Sequence, residues 1–593
     1  MRGAQMIMLA DWHPDIIEFI ISKMQNPRIL RFLIENTEDE LIKQLAKDKL
    51  KFTPLTETEK DLYQSVLNYK TMPGQGGFTD KGLGEAVDKL NTGGTYTVHN
   101  PDFLTGANIS VCITKEFMDA VENDENYTLR FPDVESYTPE EMKVYNTEWQ
   151  NSGDVREWET RGFGIRNYRT VRAKELWNLI NICATYSAEP GIFFIDNAND
   201  KTNATAYGQK VVATNPCGEQ PLAPYSVCNL AAVNLASVAD KGAKKVDYEK
   251  LERIVKTGVR MQDNVIDATP YFLEDNKVQA LGERRVGLGV MGLHDLLIYC
   301  ETEYGSEEGN ILVDKIFETI ATTAYRASIE LAKEKGSFPF LQGTTEQETK
   351  ELREQFISTG YMKNMPEDIR DGIRNYGIRN SHLLTVAPTG STGTMVGVST
   401  GLEPYFSFSY FRSGRLGKFI EVKADIVKEY LEEHPDQDPE NLPKWFVTAM
   451  TMSPEAHADT QCVIQRWVDS SISKTVNAPK GYAVEQVEKV YQRLYRGGAK
   501  GGTVYVDGSR DSQVLTLKAE ENEFEGEQTE FDFEEDKKPR VVLMDTVHEL
   551  DKTKVTIGSE VGDTCPVCRE GTVEDIGGCN TCTNCNAQLK CGL

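Results

Sequence analysis

Apolar runs of strand length alternate with amphipathic helix patterns along most of this chain, and that alternation restricts it to an α/β architecture. Residues 108–114 (Asn-Ile-Ser-Val-Cys-Ile-Thr) read as a strand, and a helix is predicted from Lys115. Residues 173–187 read as helical, and residues 190–196 as a buried strand ending at a polar tip. Near the start an apolar run leads through Trp12, His13, Pro14 and Asp15 into a helix with Ile16, Ile17, Ile20 and Ile21 on one face. Asp247 suits the N-cap of a helix carrying Leu251, Ile254, Val255, Val259 and Ile266, and Ile311, Ile316, Ile320 and Ala324 mark another. Residues 383–387 read as a strand, and residues 501–510 form the last core segment. At 593 residues the chain exceeds one typical domain, and it shows no solenoid-like repeat.

A net charge of -27 excludes a general polyanion-binding surface, so direct nucleic-acid binding is not expected. No apolar run reaches the roughly 18 residues that span a bilayer, and residues 7–10 are too short for a signal-peptide core. The expectation is a cytoplasmic protein with no membrane partner. Six of the twelve cysteines are scattered before residue 500 and six crowd the tail, which is not a secreted disulfide framework. Cys112, Cys183, Cys300 and Cys462 lie in apolar surroundings and are expected to fill the core.

Composition divides the chain into a catalytic portion (1–517), an acidic flexible linker (518–563) and a cysteine-rich tail (564–593). The linker, with runs such as residues 530–536 (Glu-Phe-Asp-Phe-Glu-Glu-Asp), cannot bury enough surface to order itself. In the tail, two Cys-x-x-Cys steps predict a zinc ribbon on Cys565, Cys568, Cys582 and Cys585. Cys579 and Cys591 are then left as a redox shuttle. Ligation through the overlapping Cys579/Cys582 pair is the alternative.

Two loops carry candidate chemistry. In residues 215–219 (Asn-Pro-Cys-Gly-Glu), alternate residues of an extended loop would point the same way, so Asn215, Cys217 and Glu219 would converge on one small molecule. Glu219 can take a proton from a hydroxyl that Asn215 holds, and Cys217 can do covalent or radical work, with a second thiol at Cys228. The same residues also suit a Pro/Gly turn around a buried cysteine. The second loop is Pro388, Thr389, Gly390, Ser391 and Thr392, whose backbone N–H groups and hydroxyls can surround phosphate oxygens at a helix start. No lysine follows the glycine, so this is not a P-loop, and a plain turn explains it equally well.

Taken in order with residues 284–292 (Arg-Arg-Val-Gly-Leu-Gly-Val-Met-Gly), these loops resemble those of ribonucleotide reductases, most closely the adenosylcobalamin-dependent class. The resemblance spans nearly all of the chain outside the acidic linker. It implies the C-terminal part of a ten-stranded α/β barrel and the activity of a ribonucleoside-diphosphate reductase. A thiyl radical on Cys217 would take the 3′ hydrogen of a ribonucleotide, Glu219 would accept the 3′-hydroxyl proton, and Asn215 would fix the substrate oxygens. Residues 388–392 would hold the diphosphate, with Ser110, from the Asn-Ile-Ser-Val strand, as a further substrate contact. Cys228 and a partner thiol would supply the reducing equivalents. Cys579 and Cys591 would re-reduce them, served by a thioredoxin- or glutaredoxin-like reductant.

Residues 2–4 resemble the interior of the family's effector-responsive loop. The expectation is therefore a split or truncated enzyme, in which an N-terminal fragment brings the first strands and the partner cysteine, and the assembled enzyme is a homo-oligomer. Tyr505 is followed by Val506, where the class fed by a radical-storing subunit carries two adjacent tyrosines, so that relay is broken and cobalamin is the expected radical source. The rival readings are a catalytic subunit fed by a separate metallo-subunit, and a non-catalytic zinc-ribbon regulatory protein on the same fold.

Overall fold

The computed structural model describes residues 4–70, 80–99, 106–414, 417–439, 441–507, 509, 515–516, 572–576, 579–583 and 588–591. The chain divides into two compact units, residues 5–518 and a unit that includes the tail.

In the larger unit, β1 (Gln5–Ala10) leads into α1 (Ile16–Ile21), whose four isoleucines are all buried, as their spacing predicts. Then come β2 (Ala107–Ile113), α2 (Lys115–Glu122), α3 (Ala173–Ser187) and β3 (Gly191–Phe194). The predicted strand to Asp196 stops at Phe194, because residues 195–200 turn at once into a short helix. Between α1 and β2 the chain inserts helices at Pro27–Asn36, Glu40–Lys49, Glu57–Lys70 and Asp80–Thr92, with a small antiparallel ladder.

The two-residue strands β4 (Ala213–Thr214) and β5 (Pro221–Leu222) close a hairpin around residues 215–220. They are followed by β6 (Asn229–Asn234), α4 (Tyr248–Ala268), β7 (Val286–Met291) and α5 (Glu307–Lys335). Asp247 caps α4 by accepting from the Lys250 N–H at 2.9 Å. On α5, Ile316, Ile320 and Ala324 are buried, but Ile311 is 65% exposed because it lies off the face that buries Gly309, Val313 and Ile316. The larger unit ends with α6 (Gly390–Val396), α7 (Pro454–Gln465), β8 (Thr475–Ala478) and β9 (Gly501–Val506).

Two parallel strand sets meet antiparallel. β1, β2 and β3 run side by side, and β3 pairs antiparallel with β9, which is parallel to β8. β6 is parallel to β7, and bridges Leu288 to Leu384 and Val386 to Ile472 carry that set across to the segment before β8. The predicted strand at 383–387 is thus reduced to isolated bridges, since Asp469 takes the Leu383 and Leu384 N–H groups. Among the described residues no strand covers the outer edges of β1 or β6, so a complete ten-stranded barrel is not observed. One apolar cluster packs α1, α3 and β9, and another packs α4, α5 and β7.

β7 owes its fully buried course to glycine. A Cβ on Gly289 would stand 2.4 Å from the Thr385 carbonyl oxygen, and one on Gly287 would stand 2.9 Å from the Cys228 sulfur. Gly289→Ala is therefore expected to cost about 1–3 kcal/mol by overpacking. A lower melting temperature would show it, with Gly164→Ala, whose nearest neighbour is 3.6 Å away, as a near-silent control.

Cys112 and Cys183 are buried, as expected. Cys300 and Cys462 are only half-buried, so they border the core rather than fill it. In the tail, the backbone forms an antiparallel three-stranded sheet of β10 (Val573–Ile576), β11 (Cys579–Cys582) and β12 (Gln588–Cys591), with Cys579 in register opposite Cys591. Cys565, Cys568, Cys585 and the acidic linker lie outside the described residues.

Candidate active site

The tip of the β4–β5 hairpin lies between the two strand sets, and each set holds it. From one side the Thr214 N–H donates to the Met8 sulfur at 3.1 Å, and Asn108 Nδ2 donates to the Pro216 carbonyl at 3.1 Å. From the other side the Glu219 carbonyl accepts from Thr385 Oγ1 at 2.6 Å and from the Ser471 N–H at 3.0 Å. The segment bearing Ser471 is itself tied down by buried Lys500, which donates to the Asp469 and Ser470 carbonyls at 2.6 Å each. Four bonds of this kind over so short a loop fix its geometry without relying on the loop's own propensity.

The loop is a turn and not extended. The Gly218 N–H donates to the Asn215 carbonyl at 3.0 Å, and Gly218 has φ +82°, a conformation that favours glycine. Alternation therefore does not place the three side chains on one face, which corrects the extended-loop expectation. Cys217 is exposed at the tip, whereas Glu219 is 2% exposed beneath it. The two still act on each other. Partial burial and then the Glu219 charge push the Cys217 thiol above its ordinary pKa. Burial pushes the Glu219 carboxyl up, opposed by hydrogen bonding that includes the Asn215 amide. Glu219 Oε2 is buried with no hydrogen-bond partner, and Asn215 Oδ1 accepts from the Gln220 N–H at 3.0 Å.

Cys217 faces a cavity of about 390 Å³, shared with Ser110, Pro388, Gly390, Glu403 and Lys474 among others. Asn215, Glu219, Cys228, Thr389, Ser391 and Thr392 do not line it. Ser391 and Thr392 are exposed on the first turn of α6, and Thr389 Oγ1 is occupied in accepting from the Gly401 N–H at 2.7 Å. Thr389 also has φ +48°, so this loop is held in a conformation that a threonine rarely adopts.

Two wall residues had no signal in the sequence. Buried Lys474 donates to Glu403 Oε2 at 2.6 Å, to His457 Nδ1 at 3.0 Å and to the Thr475 carbonyl at 3.2 Å. His457 Nε2 faces the Ala449 carbonyl at 3.0 Å, and burial and then Lys474 lower its pKa to about 3. The ring is thus neutral, with Nδ1 as the acceptor of the Lys474 bond. These contacts join three distant segments, which no local pattern reveals.

Cys228 sits behind the hairpin, just before β6, and burial pushes its thiol up to about 12. Neither thiol resembles an activated nucleophile, because a nucleophilic cysteine needs a depressed pKa. Both remain S–H at neutral pH, the form that carries a hydrogen atom.

The profile of the family described as ribonucleotide reductase, barrel domain, matches residues 2–505. The chain belongs to the ribonucleotide reductase family. It is 32% identical over 431 residues to a vitamin B12-dependent ribonucleoside-diphosphate reductase of Thermoplasma acidophilum, covering 70% of this chain and 49% of that protein. A vitamin B12-dependent ribonucleoside-diphosphate reductase of Mycobacterium tuberculosis is also 32% identical, over 443 residues, with 72% and 54% covered. A ribonucleoside-diphosphate reductase subunit alpha of Chlamydia pneumoniae is 29% identical over 422 residues, with 65% and 39% covered. The chain thus spans about half the length of the first two of these relatives. No helix among its described residues is long and apolar enough to cross a membrane.

Proposed function

We propose that this chain carries the catalytic centre of an adenosylcobalamin-dependent ribonucleoside-diphosphate reductase. The observation that carries the reading is an exposed, protonated thiol on a rigid hairpin tip, above a buried carboxyl of raised pKa, at the wall of a cavity. The residues present fit an external radical source. The Cys217 sulfur is open to a bound group, and Val506, beside Tyr505 on β9, cannot pass a radical inward. Cys217 and the glycine rim of the same cavity, Gly501 and Gly502, would face the cobalamin. When bound, that cofactor supplies the oxidising equivalent by homolysis of its cobalt–carbon bond.

Within the chain, the Cys217 thiol would give up its hydrogen atom and the resulting thiyl would take the 3′ hydrogen of a ribonucleoside diphosphate. Glu219 then accepts the 3′-hydroxyl proton with Asn215 holding its carboxylate, and water leaves from C2′. Pro388 and Gly390 are the phosphate-loop residues on the cavity wall, with Ser110 opposite them on β2. Thr389, Ser391 and Thr392 would serve through the backbone at the start of α6. Cys228 and a second thiol furnish two electrons. We assign that thiol, and strands pairing the open edges of β1 and β6, to a further polypeptide, because no disulfide partner stands beside Cys228 among the described residues. Homo-oligomeric assembly and a thioredoxin-like reductant complete the proposal.

Two experiments test it. Deoxyribonucleotide formation is expected with adenosylcobalamin and a dithiol, together with the completing polypeptide and no metalloprotein. A requirement for a metallo-subunit would instead favour the rival class. In the tail, the register of Cys579 opposite Cys591 supports their pairing as the shuttle, leaving Cys565, Cys568, Cys582 and Cys585 for zinc. Metal analysis of Cys565→Ala is expected to find the zinc lost, and retention at one equivalent would overturn that ligand set.

A further inference from the structure

Residues 399–405 belong to no helix or strand, yet they are bonded on three sides. From the helix Leu293–Tyr299, the Asp295 carboxylate accepts from the Ser399 N–H and from the Tyr405 hydroxyl, each at 2.7 Å. In the middle, this strap meets the loop of residues 388–392. The Gly401 N–H donates to Thr389 Oγ1 at 2.7 Å, and a Cβ on Gly401 would stand 2.9 Å from the Ala387 carbonyl oxygen and 3.1 Å from that of Pro388. On the third side Glu403 Oε1 accepts from the N–H of Thr475, the first residue of β8, at 2.7 Å, and Oε2 accepts from Lys474 Nζ at 2.6 Å. The Lys474 side chain is fully buried, whereas that of Glu403 is 25% exposed. Both stand on the wall of the cavity that Cys217 faces, together with Pro388, Gly390 and Gly401.

We propose that the Lys474–Glu403 ion pair is a positioning device for the phosphate loop, clamping the strap to β8 so that the strap holds Thr389 in place for a diphosphate. Thr389 has φ +48°, a conformation that a threonine keeps only where its surroundings over-determine it. The strap is the neighbour that takes its hydroxyl, and the strap lacks secondary structure to hold itself. Neither member of the pair is left to grip a ligand. Lys474 Nζ spends its three N–H donors on Glu403, His457 and the Thr475 carbonyl, and both Glu403 oxygens are already acceptors. A saturated pair at a cavity wall acts through what it ties together, here the strap and β8. The proposal rests on reading residues 388–392 as a loop that receives the diphosphate.

The test is equilibrium binding to the full chain of CDP and of cytidine, which differ only in the diphosphate, with kcat and KM for CDP measured beside it. Wild type is expected to hold CDP more tightly than cytidine. Lys474→Met and Glu403→Gln are each expected to weaken CDP binding about tenfold and to leave cytidine binding within about twofold, the scale of one charged hydrogen bond. The loss in turnover is expected to fall on KM and not on kcat. A role confined to stability would lower the melting temperature and leave the ratio of CDP to cytidine affinity as in wild type, and that result would overturn the proposal. Equal weakening of both ligands would overturn it too. So would tighter CDP binding by Glu403→Gln, which would assign to the pair an effect of charge and not of position. Should Lys474→Met fail to fold, Glu403→Gln, which alters the partly exposed partner, decides alone. Failure of the underlying reading is seen in wild type itself, as equal affinity for CDP and cytidine, and would take the proposal with it.

Discussion

Cys217→Ser is expected to form no detectable deoxyribonucleotide while binding ribonucleoside diphosphate as tightly as wild type. The exposed Cys217 thiol is kept protonated by its surroundings, which suits hydrogen-atom transfer and disfavours nucleophilic attack. Serine keeps the shape and the polarity, but its O–H bond is too strong to be the carrier. The loss should exceed about ten-thousand-fold, or about 5.4 kcal/mol on the barrier. Because residue 217 sits on a turn closed through Gly218 and Asn215, the substitution leaves the backbone and the cavity wall in place. Product assays and equilibrium binding on the same preparation check it. Turnover by the serine variant close to wild type would remove the radical role.

Glu219→Gln comes next in size, with an expected loss of about 10²–10⁴ in turnover, the usual contribution of a general acid–base group. The amide keeps the side-chain volume and removes the titrating carboxyl. The pH dependence gives an independent check. Burial raises the Glu219 pKa above the ordinary 4.5, so the base is protonated, and turnover falls, at a pH higher than an exposed glutamate would give. The sign for stability follows from the same shift. The protonated form is favoured in the folded state, so this group's contribution is fully present below its unfolded pKa and fades as pH rises through the folded value. The acid limb of kcat/KM in wild type, and its absence in Glu219→Gln, is the measurement. An unchanged limb in the variant would assign the titration elsewhere.

The elements that local periodicity defines were legible in the sequence. The isoleucines of α1, the strand β2 and the helix α3 follow directly from apolar spacing, because one buried face is enough to set the phase. What escaped was decided by contacts between distant segments. Residues 383–387 look like a strand, yet the Asp469 carboxylate takes two of their N–H groups. The hairpin tip reads as extended, yet one glycine at positive φ turns it and sends Glu219 inward while Cys217 stays outside. Ile311, on the solvent side of α5, shows the limit of counting apolar residues without knowing where the core lies. Of the candidate site, Cys217 and its buried carboxylate were visible as residue types. Lys474 and Glu403 were not, since their meaning comes only from what they touch.

The identity of the hydrogen that Cys217 removes is the centre of the account, and isotopic substitution tests it most directly. With the completing polypeptide, adenosylcobalamin and a dithiol, kcat/KM is compared for ribonucleoside diphosphate bearing deuterium at C3′, at C2′, or at neither. The account predicts slower turnover with the C3′-deuterated substrate and none of that slowing with deuterium at C2′. Equal rates for the C3′-deuterated and unlabelled substrates, with slowing confined to the C2′ label, would contradict it.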